Sequence, residues 1–491
     1  MAACCMKIFA KTLAYLFIFS ALCFWLWYGS SLLFQSRAAT GVDGYYYVLQ
    51  INSFLESGQF YFQTGTPLVL YFLSVLAFFT GDPVVAAKFG AIVLQILLCL
   101  GMATLLRTLT KNLWLAALGV FLLLFSVLHL YFLSEFISNL GATVFLVWGA
   151  VGTVKAIHSK RKIWFLFAGS MLAAAIFSHR SSIWLIICLF FFALLSKFWL
   201  KDSANAKLQF SFSLIIVVLF VSPLLLAWQP FLILPEWLSS ELLKYPRNPF
   251  RSFILMESLM LLIGCAAMLL ILLVKPEIFR KNPAGVVLFS IFLWSLLVTL
   301  NPFLNHQAGI AGIIARLDAL AYLQVAITVP LLLSLLSSRS EKSGRFVIAL
   351  FLPLLVLRLF APVPLGLREE FLRNREKLIR ELPQTRARIC EAPLIIARHG
   401  EQFMVTAILR VPAQQKPPIE NQFQCIYWLV HQSRSDYQII FDNSAASSDG
   451  DFTLVEDSKM KEIFQSMPAE EQARLISENL HLTLLSDQST R

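Results

Sequence analysis

Two carboxylates stand beside apolar segments in the N-terminal third of the chain. Asp43 follows the first apolar run, and Glu135 immediately precedes a later one. A carboxylate placed beside a membrane cavity can act as a general base, and two carboxylates can share a divalent metal ion. We therefore predict Asp43 as a catalytic base and Glu135 as a second catalytic carboxylate, which either orients the acceptor or completes a divalent-metal site with Asp43.

Each carboxylate also has a structural interpretation. Apolar residues of the segment 41–58 recur with the spacing i, i+4, i+7, which predicts an amphipathic helix lying in the membrane interface. Asp43 stands at the N-cap position of that helix and Gly58 at its C′ position, so a helix cap is the alternative for Asp43. Glu135 opens an apolar segment, and a cap is the alternative for this residue as well.

Basic side chains in the polar connections can neutralise a phosphate group. Three of them fall within eight positions, and guanidinium groups match the geometry of phosphate oxygens. The predicted phosphate-binding set consists of Lys244, Arg247, Arg251, His179, Arg180 and Arg316. The alternative for the cluster at 244–251 is contact with lipid headgroups or with solvent, and the alternative for Arg316 is an ion pair with Asp318 or a side chain that snorkels to the interface. Tyr45 is predicted to stack against a sugar, although aromatic residues are common at any membrane interface.

The elements that must position these residues are membrane helices. Of the 491 residues, 58% are hydrophobic and 14% are charged, against roughly a quarter charged in soluble domains. Apolar runs of about 20 residues recur between residues 12 and 361, and each can cross a hydrocarbon core about 30 Å thick. We predict a mainly α, polytopic membrane helical bundle of about eleven spans, which excludes a soluble globular enzyme.

The distribution of Lys and Arg predicts the orientation in the membrane. Residues 67–80 form an apolar run that is too short to span, so we place it at the interface within an outer loop of residues 35–83. Most basic clusters then fall on one face, which the positive-inside rule assigns to the cytoplasm together with the N-terminus. This topology explains the excess of 40 Lys and Arg over 29 Asp and Glu. No nucleic-acid partner is predicted.

The composition changes near residue 367. We predict a transmembrane domain over residues 1–366 and a small α+β extracytoplasmic domain over residues 367–491. Strand-like runs are predicted at 394–397, 403–411, 425–431 and 437–441, followed by helix-like segments at 457–466 and 468–484. Cys390 and Cys425 are the only cysteines of this part, and they either form a disulfide in an oxidising compartment or stay buried thiols.

The first loop resembles a known family. An apolar run is followed by residues 43–47 (Asp-Gly-Tyr-Tyr-Tyr), an amphipathic helix that ends in Ser-Gly, and residues 66–68 (Thr-Pro-Leu). This order is similar to that of the GT-C superfamily of polytopic membrane glycosyltransferases, which includes the protein O-mannosyltransferases and the lipid A aminoarabinose transferase. Residues 134–136 (Ser-Glu-Phe) resemble a second acidic position of the family. The family's common Asp-Glu pair is Asp-Gly here, and the Trp-Trp-Asp-Tyr-Gly signature of oligosaccharyltransferases is absent.

The resemblance implies a glycosyltransferase of the bacterial inner membrane that works on the periplasmic side. It would transfer a sugar from a polyprenyl-phosphate-linked donor to an extracytoplasmic glycan, lipid or protein, with Asp43 as the general base. Its partners would be the polyprenyl-phosphate sugar, the unidentified acceptor and membrane lipid, and its one candidate cofactor is a divalent metal ion. The alternatives are a transporter or flippase of lipid-linked saccharides and a non-catalytic envelope assembly protein.

Overall fold

The computed structural model describes most of the N-terminal part of the chain and portions of the remainder. The described residues are 2–62, 65–179, part of 182–190, 251–274, 283–295, 320–337, 351, 352, 356, 363–386, 389–415, 423–431, 452–470 and 472. Helices dominate these residues, and one small sheet lies toward the C-terminus. The mainly α class predicted from the sequence is confirmed.

The N-terminal part, up to residue 178, is a series of helices. They are α1 (Ala2–Phe34), α2 (Gly44–Ser57), α3 (Leu68–Thr80), α4 (Pro83–Thr110), α5 (Leu113–Leu124), α6 (Val127–Ser134), α7 (Ile137–Ser159) and α8 (Lys162–Ser178). Among the described residues, α1, α4 and α7 are long and apolar enough to cross a membrane, whereas α3 has only 13 residues. The chain is therefore an integral membrane protein, and the number of about eleven spans stays a prediction.

α5 and α6 are bent by 61° relative to each other. The apolar run over residues 113–133 is long enough for one continuous span, but the helix is interrupted at Phe125 and Ser126. The break coincides with a buried polar contact, since the Ser126 hydroxyl donates a 2.5 Å hydrogen bond to Oε1 of Glu257. After the bend, α6 ends next to Glu135, and its last residue, Ser134, lies against Gly41 of the first loop.

Within the described residues, three further helices pack against this group. They are α9 (Arg251–Val274), α10 (Pro283–Trp294) and α11 (Ala321–Ser337). α11 touches α4, α5, α9 and α10, so it lies centrally within the described part of the bundle. One hydrophobic core joins residues from α1 to α7 with residues from α9 to α11. The bundle is therefore one packed unit, and the first loop lies at one end of it.

The C-terminal region, residues 363–472, contains a four-stranded sheet. Its helices are α12 (Glu369–Thr385), α13 (Glu401–Leu409) and α14 (Asp457–Ser466), and its strands are β1 (Pro393–Ile396), β2 (Ala413–Gln414), β3 (Cys425–His431) and β4 (Phe452–Glu456). The strand order is β2-β1-β3-β4. β1 runs parallel to β2 and β3, and β3 runs antiparallel to β4. α13 provides the crossover that the parallel pairing of β1 with β2 requires.

One strand prediction for this region is wrong. Residues 403–411 form most of α13 instead of a strand. A short apolar run fits a buried strand and a buried helix equally well by periodicity, and here the crossover between two parallel strands decides for the helix. The predictions for 394–397, 425–431 and 457–466 agree with β1, β3 and α14. Residues 437–441 and most of 468–484 lie outside the described residues.

A disulfide joins Cys390, just before β1, to Cys425, the first residue of β3. One face of the sheet packs against α14, and the other face packs against α12 and α13. The core on the second face also contains Ala39, Tyr45 and Val48. The C-terminal region and the first loop therefore share one hydrophobic core.

Candidate active site

Asp43 directly precedes α2. It occupies the N-cap position with φ −87° and ψ 6°, but its side chain makes no capping hydrogen bond. Oδ1 of Asp43 lies 2.9 Å from Nε2 of His399, which stands in the turn after β1. This contact raises the pKa of His399, and burial opposes the rise. The helix-cap interpretation therefore does not describe the Asp43 side chain, which lines a cavity and meets an imidazole.

Glu135 supports the backbone of Asp43. It lies between α6 and α7 with 2% of its surface exposed, and its Oε2 accepts a 3.2 Å hydrogen bond from the Asp43 N–H. Burial raises the pKa of Glu135 to about 7, and the Asp43 charge adds to the rise, whereas the Asp43 N–H and Arg375 oppose it. The N-cap residue of α7 is Phe136, so Glu135 holds the first loop instead of capping that helix.

Arg375 of α12 holds the same loop from the other side. Its guanidinium, in a residue that is 5% exposed, donates to the carbonyl oxygens of Ala39, Gly41 and Val42 at 3.1, 2.5 and 2.8 Å. Burial lowers the pKa of Arg375, and the carboxylate of Glu135 opposes that change. Carbonyl groups that no helix or strand uses thereby gain a charged hydrogen-bond donor.

Gly41 lets this loop pass close to the end of α6. Its φ is +81°, and its N–H donates a 3.0 Å hydrogen bond to the carbonyl oxygen of Gly366. A Cβ at position 41 would overlap the carbonyl oxygen of Ser134. Both the backbone conformation and the lack of space therefore demand glycine here. The backbone leading to Asp43 is fixed by hydrogen bonds and by close packing.

A cavity of about 720 Å³ opens beside Asp43. Its lining includes the acidic and imidazole side chains of Asp43, His179 and His399, and the aromatic rings of Tyr46, Tyr47, Phe136 and Phe403. The Tyr46 ring meets the rings of Tyr47 and Phe403 edge to face, with both centroid distances 5.4 Å. Polar groups and aromatic rings that converge on one cavity suit a sugar, which presents hydroxyl groups and apolar ring faces.

Tyr45 does not line this cavity. It is buried in the core shared with α12 and α13, with the Arg375 guanidinium 5.7 Å from its ring centroid. Burial raises the pKa of its phenol. The predicted sugar contact of Tyr45 is therefore corrected to a packing role, because α2 turns this residue toward the C-terminal region. Its neighbour Tyr46 is partly exposed and lines the cavity instead, whereas Tyr47 is buried in the core of the bundle and its hydroxyl accepts the Ser138 N–H.

The structure describes only part of the predicted phosphate-binding set. Lys244, Arg247, Arg180 and Arg316 lie outside the described residues. Arg251 is the first residue of α9, and the position of its side chain is outside the description as well. His179 follows α8 and lines the cavity beside Asp43. Binding of a phosphate by this set stays a prediction.

A second cavity, of about 960 Å³, contains a buried cation that the sequence alone does not single out. Nζ of Lys88, the sixth residue of α4, donates a 2.6 Å hydrogen bond to the carbonyl oxygen of Ser36 and lies 5.4 Å from the centroid of the Phe34 ring. Asp82 and Glu376 also line this cavity. The available sequence signal was one lysine inside an otherwise apolar run.

Asp43 and Glu135 do not by themselves form a complete metal site. Among the described residues, no group of three or more His, Cys, Asp or Glu side chains is placed to hold a metal ion. Magnesium and calcium ions take roughly six or more oxygen ligands, and Oε2 of Glu135 already accepts the Asp43 N–H. A divalent metal ion at these two carboxylates stays a prediction.

No protein-family model matches the chain, and no curated protein matches it in sequence. Similar solved structures include ArnT from Cupriavidus metallidurans bound to undecaprenyl phosphate, with a TM-score of 0.48, 12% identity, and coverage of 91% of this chain and 98% of that chain. ArnT in the apo state has a TM-score of 0.44 and 12% identity, with coverage of 93% of this chain and 98% of that chain. A third similar structure is the archaeal oligosaccharyltransferase AglB from Archaeoglobus fulgidus in complex with an inhibitory peptide and a dolichol-phosphate. It has a TM-score of 0.47 and 11% identity, with coverage of 81% of this chain and 64% of that chain. ArnT and AglB are GT-C superfamily glycosyltransferases.

Proposed function

We propose that the chain transfers a sugar from a polyprenyl-phosphate-linked donor to an extracytoplasmic acceptor, with Asp43 as the general base. The observation that carries the proposal is the Asp43 carboxylate at the wall of the 720 Å³ cavity, on a loop that Glu135 and Arg375 hold from two sides. A general base has to be held in place relative to its substrate, and these contacts provide that.

The reaction forms one bond and breaks one bond at the sugar. The acceptor oxygen attacks the anomeric carbon, and the bond from that carbon to the phosphate oxygen of the donor breaks, with the electron pair leaving on the phosphate. The proton of the acceptor hydroxyl passes to Asp43. A positioned base contributes roughly 10²–10⁴-fold to such a step. Attack on the face opposite the phosphate inverts the configuration of the sugar.

Glu135 is proposed as the second carboxylate of this site. Because it lies behind the loop and binds the Asp43 N–H, it acts through the position of Asp43. His179 and Tyr46 line the cavity and are proposed to contact the sugar. Stacking of a sugar ring on a tyrosine leaves the sugar hydroxyl groups free to bind the polar wall.

The leaving phosphate requires cationic partners. The predicted residues Lys244, Arg247, Arg251, Arg180 and Arg316 are kept for this role. Lys88 is added as a candidate contact for an anionic group at the second cavity, which shares no lining residue with the cavity beside Asp43. A buried lysine in a membrane helix is a functional candidate because burial of a charge there is costly.

The disulfide supports an extracytoplasmic site. Structural disulfides persist in oxidising compartments and are rare in the cytosol, so we place the Cys390–Cys425 bond, and the C-terminal region with it, outside the cytoplasm. Asp43 contacts His399 of that region and so faces the same compartment. A periplasmic active site in a bacterial inner membrane, with the N-terminus in the cytoplasm, accords with this placement.

The test follows label from a radiolabelled polyprenyl-phosphate sugar pool into any acceptor, in membranes that contain the full chain. Asp43→Asn is compared at matched expression with the wild type and with Glu369→Gln, which removes an exposed carboxylate paired with Arg373 on α12. We expect Asp43→Asn to reduce transfer about 10²-fold or more and Glu369→Gln to retain it. Unchanged transfer in Asp43→Asn would reject the proposal and favour a transporter or an envelope assembly protein.

A further inference from the structure

The C-terminal region places an imidazole against the candidate base. His399 stands in the turn between β1 and α13, and its Nε2 lies 2.9 Å from Oδ1 of Asp43. Its other ring nitrogen, Nδ1, lies 2.5 Å from Nε2 of the Gln415 side chain. The ring also meets Phe403 edge to face, with a centroid distance of 5.9 Å and an interplanar angle of 76°. Three neighbours therefore fix the orientation of this imidazole.

The turn that carries His399 is itself seated on the first loop. Gly400 has φ +85°, and a Cβ at this position would overlap the carbonyl oxygen of Val42. The turn follows β1, which pairs with strands on both sides and begins next to the Cys390–Cys425 disulfide. His399 is therefore presented by a rigid element and not by a free loop.

Independent contacts anchor the C-terminal region on either side of Asp43. Before Asp43, the Ser36 hydroxyl and the Arg37 N–H donate to Oε1 of Glu376 at 2.6 and 2.8 Å. After Asp43, Arg410 pairs with Glu56 of α2 at 3.0 Å. The contact between His399 and Asp43 lies between these anchors, so it belongs to an extended interface.

We propose that His399 is a positioning residue for Asp43, so that the C-terminal region completes the active site and does not merely cover it. The proposal rests on the proposed function. The amide nitrogen of Gln415 donates to Nδ1, which leaves the hydrogen of a neutral imidazole on Nε2, the nitrogen that lies 2.9 Å from Oδ1 of Asp43. The second carboxylate oxygen is then directed to the acceptor hydroxyl. His399 keeps its proton throughout the reaction, and the acceptor proton goes to Asp43.

Docking of the C-terminal region is tested first, without substrate. Glu56→Cys and Arg410→Cys are combined in the full chain, with every cysteine outside the disulfide replaced by serine, and treated with a short bismaleimide. We expect an intramolecular cross-link, because the two side chains are in contact. Either single variant serves as the control. Failure to cross-link would overturn the docked arrangement on which the role of His399 depends.

Transfer is then measured with the radiolabelled polyprenyl-phosphate sugar pool as the donor. The variants are His399→Gln, whose amide can still donate, His399→Phe, which cannot, and His158→Gln as the control for an exposed histidine remote from the site. Because 57% of the His399 side chain is exposed, its replacement leaves no buried void. We expect His399→Phe to lower kcat about tenfold or more with KM for the donor within about twofold, and His399→Gln to restore part of the loss.

Two results would overturn the inference. One is wild-type turnover in His399→Phe, and the other is a change in KM alone, which would make His399 a substrate contact. The double variant Asp43→Asn/His399→Phe is expected to be no slower than Asp43→Asn, because a positioning residue acts only through its target. If His399→Phe is active and Asp43→Asn is inactive, this inference alone is rejected. If Asp43→Asn is active, the proposed function itself is rejected.

Discussion

Two regions of the molecule hold the loop that carries Asp43, and they use different chemistry. The helical bundle supplies one buried carboxylate, Glu135, which binds one backbone N–H. The C-terminal region supplies the guanidinium of Arg375, which binds three backbone carbonyls, and the imidazole of His399, which meets the Asp43 side chain. Among the described residues, the C-terminal region therefore makes more of the loop's polar contacts than the helical bundle does.

The two regions are also coupled through the loop. Glu135 and Arg375 carry opposite charges, both are buried, and each offsets the effect of burial on the pKa of the other. Removal of either leaves its partner as a less compensated buried charge. We therefore expect the stability of the loop to depend on both regions.

Loss of Arg375, the clamp by which the C-terminal region holds the Asp43 loop, should have the largest effect. Arg375→Ala removes the guanidinium donor from three carbonyls and leaves Glu135 without its countercharge, so we expect the free energy of unfolding to fall by on the order of 3–5 kcal/mol and transfer activity to be lost. Arg373→Ala, on the exposed face of the same helix, is the matched control and should change little. Thermal unfolding of the full chain in detergent measures both. Equal effects for the two variants would show that the clamp does not support the loop.

Opening the disulfide should have the next largest effect. Cys390→Ser removes a bond between residues separated by 35 positions, for which loop-closure entropy predicts a loss of roughly 2–4 kcal/mol in the C-terminal region. Hydrogen exchange should then show reduced protection of β1 and β3 and little change in α4. Cys265→Ser, which replaces a buried free thiol in α9, is the comparison for loss of a cysteine alone. Unchanged protection of β1 would mean that the sheet does not depend on the bond.

The close approach of the loop to the bundle predicts a smaller but specific effect. Gly41→Ala and Gly58→Ala both place alanine at a positive φ, but only at position 41 would the Cβ meet a backbone atom, the carbonyl oxygen of Ser134. We expect Gly41→Ala to be less stable than Gly58→Ala by roughly 1–3 kcal/mol and to lose transfer. Similar unfolding temperatures for the two variants would contradict the tight packing of the Asp43 loop.

The bundle side predicts a pH effect, the smallest of the four. The pKa of Glu135 rises from 4.5 to about 7 on folding, so between these pH values the native state binds more protons than the unfolded state, and stability falls as the pH rises. Glu135→Gln removes this titration. The unfolding temperature of the wild type should therefore fall relative to that of Glu135→Gln as the pH rises from 4.5 to 7. Glu370→Gln, which replaces an exposed carboxylate, should show no such shift. If the difference between wild type and Glu135→Gln stays constant from pH 4.5 to pH 7, the raised pKa of Glu135 is refuted.

Local patterns in the sequence were sufficient to predict the part of the site that the N-terminal residues form. The helical spacing and the glycine at position 58 predicted α2, whose C-cap is Gly58 in the left-handed conformation. The resemblance of the loop singled out Asp43 and Glu135, and the structure brings the Asp43 N–H to within 3.2 Å of the Glu135 carboxylate. These signals depend on residues a few positions apart, which a single sequence displays.

The partners from the C-terminal region were beyond such patterns. Arg375 lies 336 positions from Ala39. Its helical spacing places it on the face of α12 that carries Leu372 and Leu378, unlike exposed Arg373, but that position does not identify the loop that it binds. His399 follows a short strand and carries no motif. Tyr45 and Tyr46 are adjacent, and only the docking of the C-terminal region decides which of them is buried. Contacts between distant segments are set by tertiary packing, which local periodicity does not encode.

The most direct measurement compares donor binding with turnover in Asp43→Asn. Binding of the radiolabelled polyprenyl-phosphate sugar to the purified full chain is measured beside single-turnover transfer to the acceptor fraction. We predict donor binding within about twofold of the wild type, with transfer slower by roughly 10²–10⁴-fold, because the substitution keeps the size of the side chain and removes only the base. Wild-type transfer, or parallel loss of binding and transfer, would contradict the assignment of Asp43 as the base.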